Sequence, residues 1–141
     1  MKQELVSDWM TKDVITIAPE TTLKEAHDIM NSKIIRRLPV VSHGKAVGIV
    51  TLGDIRGAEP SKATSLSVWE VNHLLANLKV SEIMTRNPAT IHENVSIGDA
   101  AKVMLERKFS GLPVVDDADH LVGIITESDI FRLVVNEWHK D

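Results

Sequence analysis

The sequence predicts an α+β fold in which two βαββα repeats pack with pseudo-twofold symmetry, plus a connecting helix. Three observations carry that expectation. The chain is written twice. Each copy runs through the same alternation of strand-like and helix-like segments. Neither copy, at roughly 55 to 60 residues, is large enough to bury a robust core alone, so the two are expected to share one.

The repeat is direct. Val6-Ser7 matches Val80-Ser81, Met10-Thr11 matches Met84-Thr85, and Thr16-Ile17 matches Thr90-Ile91. Leu38-Pro39-Val40-Val41 matches Leu112-Pro113-Val114-Val115. One extra residue enters the second copy in the turn between Asp116 and His120. Beyond it Val47-Gly48-Ile49 matches Val122-Gly123-Ile124, and Thr51, Asp54 and Ile55 match Thr126, Asp129 and Ile130. The predicted boundaries are 1–58 for the first repeat, 59–79 for a linker with an amphipathic helix, and 80–141 for the second repeat.

Each copy opens with a short helical turn, Val6 to Met10 or Val80 to Met84. A brief strand comes second, Val14 to Ile17 or Ala89 to Ile91, β-branched in the first copy. A helix comes next. Thr22-Leu-Lys-Glu25 is a capping box, and Ser96-Ile-Gly-Asp99 is its looser counterpart. Leu23, Ala26, Ile29 and Met30 recur at helical spacing, as do Ile97, Ala100, Ala101, Met104 and Leu105.

Two strands then read LPVV and VGIVT, or LPVV and VGIIT. Their nearly continuous apolar runs predict burial on both faces. Ser42-His43-Gly44 and Asp116-Asp117-Ala118-Asp119 are the intervening turns. A last helix begins just after the Thr of T-x-x-D. Between the copies RGAEPSKATSLS is polar and turn-rich. Ser67-Val-Trp-Glu70 caps the connecting helix, with Val68, Val71, Leu74, Leu75 and Leu78 on one face.

Composition narrows the function. The 141 residues carry a formal net charge of −4 and 4% aromatics without Tyr. No long basic run marks a nucleic-acid binder, and a stacking platform for single strands lacks its aromatic faces. Without cysteine, disulfides and thiolate metal sites are excluded. The first residues have no apolar core of a signal peptide, and no apolar run reaches membrane-spanning length. The expected compartment is the cytoplasm, with neither membrane nor nucleic acid as partner.

The six His residues are scattered without metal-ligand spacing, and the Asp116–Asp119 turn lacks the EF-hand pattern. There is no P-loop, no dinucleotide fingerprint, no nucleophile elbow and no catalytic constellation, so the chain is not expected to be an enzyme. Gly48 and Gly123 interrupt strands, which marks a close approach, either of packing side chains or of a ligand. Trp9, Trp69 and Trp138 fall on helices, as core residues or as an oligomer interface.

Two readings account for T-x-x-D. The Thr can be an N-cap with the Asp, three residues on, as its partner. Glu or Gln is the more usual partner, and a carboxylate on the first turn of a helix can also accept hydrogen bonds from a ribose diol. Arg36-Arg37 stands at a strand entrance, either as a solvated basic pair or as a phosphate clamp. The second copy has Ser110-Gly111 there.

The doubled series V-x-x-x-M-T, T-I, L-P-V-V and V-G-I-[VI]-T-x-x-D-I resembles the tandem cystathionine β-synthase (CBS) domain pair, or Bateman module, over about residues 5 to 135. The linker ATSLSVWEVNHLL is similar to that of stand-alone pairs. The resemblance implies a regulatory module without catalytic activity that binds AMP, ADP or ATP in clefts between the repeats. S-adenosylmethionine or an NAD-type ligand is the other class it implies. No cofactor is required. A homodimer and a regulated partner protein complete the expectation. The alternative is a ligand-free structural or protein-interaction module.

The family's ribose-holding Asp carries over to Asp54 and Asp129, with Thr51 and Thr126 beside them. The expected cleft of Asp129 includes Thr11, Ile15, Arg36, Arg37 and Leu38. That of Asp54 includes Ala89, Gly111 and Leu112. On this mapping the Asp129 cleft is the basic one and takes phosphorylated adenosine more tightly.

Overall fold

The structure, a computed structural model, describes residues 4–59 and 65–139. Residues 60–64 of the predicted linker lie outside the described residues. The chain forms two compact units whose borders do not coincide with the repeats. One holds residues 15–88 and the other the chain up to Val14 together with Ala89 onward. The opening segment of each copy is therefore built into the unit that carries the other copy's helices and strands.

In the unit of residues 15–88, α2 (Leu23–Lys33) starts at Thr22, whose side chain accepts from Glu25 N at 3.1 Å. It ends at Ile34, in the left-handed region at φ 55°. Strands β1 (Arg37–Ser42) and β2 (Lys45–Thr51) pair antiparallel, with Arg37 opposite Thr51. Their turn is made by His43 and Gly44, both at positive φ, the conformation that suits a two-residue hairpin. Helix α3 (Leu52–Ala58) begins at once, and α4 (Val68–Asn77) starts at Ser67, whose side chain accepts from Glu70 N.

A single 3-10 turn, Val80–Glu82, then leads into β3 (Thr85–Arg86), which adds to β2 through Ile49–Thr85 and Gly48–Arg86. On the other side of the sheet, Ile17 bridges Val40 in parallel. The incoming segment is held by its backbone. Leu23 N donates to Leu78 O, Val80 N to Thr21 O, and Ser81 N to Pro19 O. The core is Leu23, Ala26, Met30, Leu38, Val40, Val50, Ile55, Leu75 and Val80, with Ile17 at its edge.

The second unit repeats the scheme. Helix α5 (Ile97–Arg107) starts at Ser96, β4 (Ile91–His92) runs parallel to β5 (Gly111–Val115), and β5 pairs antiparallel with β6 (Leu121–Thr126). Helix α6 (Glu127–Trp138) closes the chain. Here the incoming segment is α1 (Val6–Trp9) with the residues from Met10 to Val14. Ile97 N donates to Glu4 O, Val6 N to Val95 O and Ser7 N to Glu93 O. Thr11 bridges Ile124, as Thr85 bridges Ile49 in the first unit.

The exchange explains the strand glycines. A Cβ at Gly48 would collide with the Met84 Sδ, and one at Gly123 with the Met10 Sδ and the Thr11 carbonyl oxygen. Each methionine of the repeated M-T pair thus lies over the glycine of the other copy's V-G-I strand.

Several element expectations need correction. The predicted strand Val14–Ile17 shrinks to the single bridge at Ile17, and β4 starts only at Ile91. Strand β3 arises just past the expected helical turn Val80 to Met84, where no element was expected, because edge pairing with β2 depends on a distant partner. Strand β2 alternates between buried and half-buried positions rather than being covered on both faces. The predicted apolar face of α4 is only partly used. Leu75 is buried, Val71 and Leu78 pack at the edge, and Val68 is exposed.

Candidate functional site

The two T-x-x-D segments sit at the junction of a sheet strand and the next helix. In the first copy Thr51 and Asp54 form a reciprocal capping box. Thr51 N donates to Asp54 Oδ2 at 2.8 Å, and Asp54 N donates to Thr51 Oγ1 at 3.1 Å. Asp54 is half-buried. The capping reading is thus fulfilled in geometry, and it leaves most of the carboxylate's accepting capacity open.

In the second copy Thr126 N donates to Asp129 Oδ2 at 2.8 Å, and the Thr126 hydroxyl donates to the same oxygen at 3.2 Å. Asp129 is 1% exposed, and among the described residues it is the one charged side chain that is fully buried. Its other oxygen accepts from Arg132 Nη1 at 2.9 Å. Sequence reasoning did not single out Arg132. The signal was present, as an Arg one turn after an Asp on a helix, but so ordinary a pair draws no notice by itself.

The β1–β2 register brings Arg37 opposite Thr51, and Leu52 N donates to Arg36 O at 2.7 Å. With Thr51, Leu52, Gly53 and Arg56 the two arginines line a cavity of about 270 Å³. They belong to the unit of Asp54 rather than to that of Asp129. The reason is hairpin geometry: residues entering β1 and residues leaving β2 meet at the same end of the sheet.

Among the described residues no acidic side chain lines this cavity. Its volume falls just under the roughly 300 Å³ at which drug-sized pockets begin. It suits one end of a ligand, and three guanidinium groups suit an anionic end. By the repeat, Arg36, Arg37 and Arg56 correspond to Ser110, Gly111 and Phe131, so the second copy carries none of this charge.

The remaining expected residues divide. Thr11 lies on β6, exchanging backbone hydrogen bonds with Ile124, two residues before Thr126. Gly111 is paired with Thr126 in the same unit. Leu38 and Leu112 are core residues, 0% and 1% exposed, so only their backbones could meet a ligand. Ile15 packs at the edge of the first unit's core and Ala89 at that of the second. Among the described residues no group of three or more His, Cys, Asp or Glu side chains gathers in metal-binding proximity, and no helix is long and apolar enough to cross a membrane.

A doubled strand–turn–helix with T-x-x-D at each junction defines a class of tandem-repeat modules. The CBS domain model matches residues 6–61 and 80–136, and the chain belongs to that family as a CBS domain pair. It is 38% identical over 132 residues to a CBS domain-containing protein of Dictyostelium discoideum, covering 93% of this chain and 91% of that one. It is 34% identical to protein MJ1225 of Methanocaldococcus jannaschii, covering 93% of this chain but 47% of that protein. In the inosine-5'-monophosphate dehydrogenase of Korarchaeum cryptofilum it matches 23% of the length. The chain thus spans less than half of several curated relatives.

Among solved structures, the CBS domain pair of protein MJ0100, in complex with 5'-methylthioadenosine and S-adenosyl-L-methionine, superposes with a TM-score of 0.78 at 36% identity. That match covers 96% of this chain and 99% of that one. The CBS-pair protein CBSX2 of Arabidopsis thaliana, in complex with AMP, gives 0.81 at 27% identity, covering 96% and 99%.

Proposed function

We propose that this chain is a regulatory module without catalytic activity that binds an adenosine-containing ligand, with a phosphorylated nucleoside such as AMP, ADP or ATP at the Asp54 site. The carrying observation is the cavity that sets Arg36, Arg37 and Arg56 beside Thr51, at the start of the helix that bears Asp54. Asp54 offers a half-buried carboxylate for the ribose hydroxyls. The arginines offer charge-assisted hydrogen bonds to phosphate oxygens. The adenosine ligands of MJ0100 and CBSX2 support the ligand class, and the arginines favour a phosphorylated member of it. This reading assigns the basic wall to Asp54, where the sequence expectation assigned it to the Asp129 cleft.

Binding would be communicated by stabilising one conformation over another in a regulated partner or in a second copy. A homodimer fits the exposed apolar stripe Phe131, Val134, Val135 and Trp138 on α6, beside an apolar cavity of about 420 Å³ between α5 and α6.

The test is thermal unfolding against AMP, ADP, ATP, S-adenosylmethionine and NAD, after stripping co-purified nucleotide. A ligand at 100 times its Kd stabilises by about 2.7 kcal/mol, a shift of several degrees. The shift should shrink markedly in Asp54→Ala. A second reading, a ligand-free interaction module, draws on the hydrogen bonds by which both Asp residues cap the start of their helices. Absence of any shift with all five ligands would favour it.

A further inference from the structure

We propose that Arg132 is a latch on Asp129 that weakens the second T-x-x-D site, so that the chain fills its Asp54 site first. The inference rests on the ligand-binding reading above and adds the order of occupancy and the residue that sets it.

A carboxylate has about four acceptor positions, two on each oxygen. In Asp129 three are taken. Thr126 N and Thr126 Oγ1 reach Oδ2, and Arg132 Nη1 reaches Oδ1. In Asp54, among the described residues, one is taken, by Thr51 N on Oδ2. A vicinal diol donates two hydrogen bonds. Asp54 accepts both without losing a partner, whereas Asp129 must release one. The guanidinium is the partner that blocks Oδ1. It is also free to leave, since Arg132 is 60% exposed while the carboxylate beneath it is 1% exposed.

The two copies differ at this position. Thr51, Asp54 and Ile55 match Thr126, Asp129 and Ile130, so Arg132 corresponds to Gly57. Gly57 has no side chain to place over Asp54, and a Cβ built there meets nothing within 4 Å. Helix α3 therefore has room for an arginine at the latch position and lacks one. The three arginines of the first copy lie on the wall with Thr51, placed to meet the phosphate end of a ligand. The same residue type thus assists ligand in one copy and competes with it in the other.

Calorimetric titration with AMP, and with adenosine to remove the phosphate, tests this in wild type, Arg132→Gln and Gly57→Arg. Asp54→Ala and Asp129→Ala assign the sites, and circular dichroism confirms that each variant folds. Wild type should show one tighter site per chain, lost in Asp54→Ala, and a second about tenfold weaker, equivalent to about 1.4 kcal/mol. Arg132→Gln should tighten the second site by about that factor and leave the first alone. A purely structural role for Arg132 would not improve binding. Gly57→Arg should weaken the first site.

Two equal sites in wild type would overturn the latch, as would a second site unchanged in Arg132→Gln. A second site weakened by Arg132→Gln would also overturn it, because Arg132 would then grip ligand rather than restrain Asp129. No binding of AMP or adenosine by any of these proteins would instead sink the ligand-binding reading, and the latch with it.

Discussion

Replacing Gly123 by alanine should destabilise the protein more than replacing Gly48, although the two glycines are equivalent in the repeat. At Gly48 the three atoms nearest the added methyl are all side-chain atoms of Met84, its Sδ, Cγ and Cβ. That side chain can re-orient. At Gly123 the methyl meets Met10 and also the Thr11 carbonyl oxygen, 2.9 Å away. Thr11 O accepts from Ile124 N at 3.0 Å, and Thr11 N donates back to Ile124 O at 2.9 Å, so this backbone has nowhere to retreat without breaking the bridge.

Overpacking costs about 1–3 kcal/mol, and alanine regains about 0.4–1 kcal/mol by restricting the unfolded chain. Gly123→Ala belongs at the upper end, with a net loss of about 2 kcal/mol, and Gly48→Ala at the lower, about 0.5 kcal/mol. Urea unfolding at constant m-value measures the difference. Double-mutant cycles sharpen it. Met84→Ala should relieve most of the Gly48→Ala clash, while Met10→Ala should relieve only part of the Gly123→Ala clash. Equal losses at the two glycines, or cycles with no coupling, would refute the account of methionine over glycine.

Three further outcomes are expected. Ile34 ends α2 at φ 55° with 90% of its surface exposed, so Ile34→Gly or Ile34→Asn should raise stability by about 0.5–1 kcal/mol in urea unfolding, since almost no packing is lost. Asp116 titrates below the usual carboxylate range, chiefly because its Oδ1 accepts from His120 N at 2.9 Å, with a second bond from Ala118 N at 2.9 Å. A depressed native pKa stabilises above the unfolded value of about 3.8 and is lost as pH falls through the native one, so the stability deficit of Asp116→Ala should be full at neutral pH and fade below that window. Phe131→Asp on the exposed face of α6 should leave the fold intact and convert a homodimer to monomer by light scattering; a dimeric variant would place the interface elsewhere.

What the sequence alone settled is what depends on neighbours in the chain. The caps at Thr22, Thr51, Ser67 and Ser96 each join residues three apart, so they were legible in one line of text. The helical periodicity and the doubling were legible for the same reason, and the doubling led to the family. Tertiary structure decided what joins residues tens of positions apart. It set the exchange of the opening segments between units, with Met10 over Gly123 and Met84 over Gly48. It placed Arg36 and Arg37 with Thr51 through the β1–β2 register. It also buried Asp129 under Arg132 and left Asp54 half-open. A capping box is written identically in both copies, but how much of each carboxylate stays free depends on burial and on which side chain lies above it, and neither is a property of the motif.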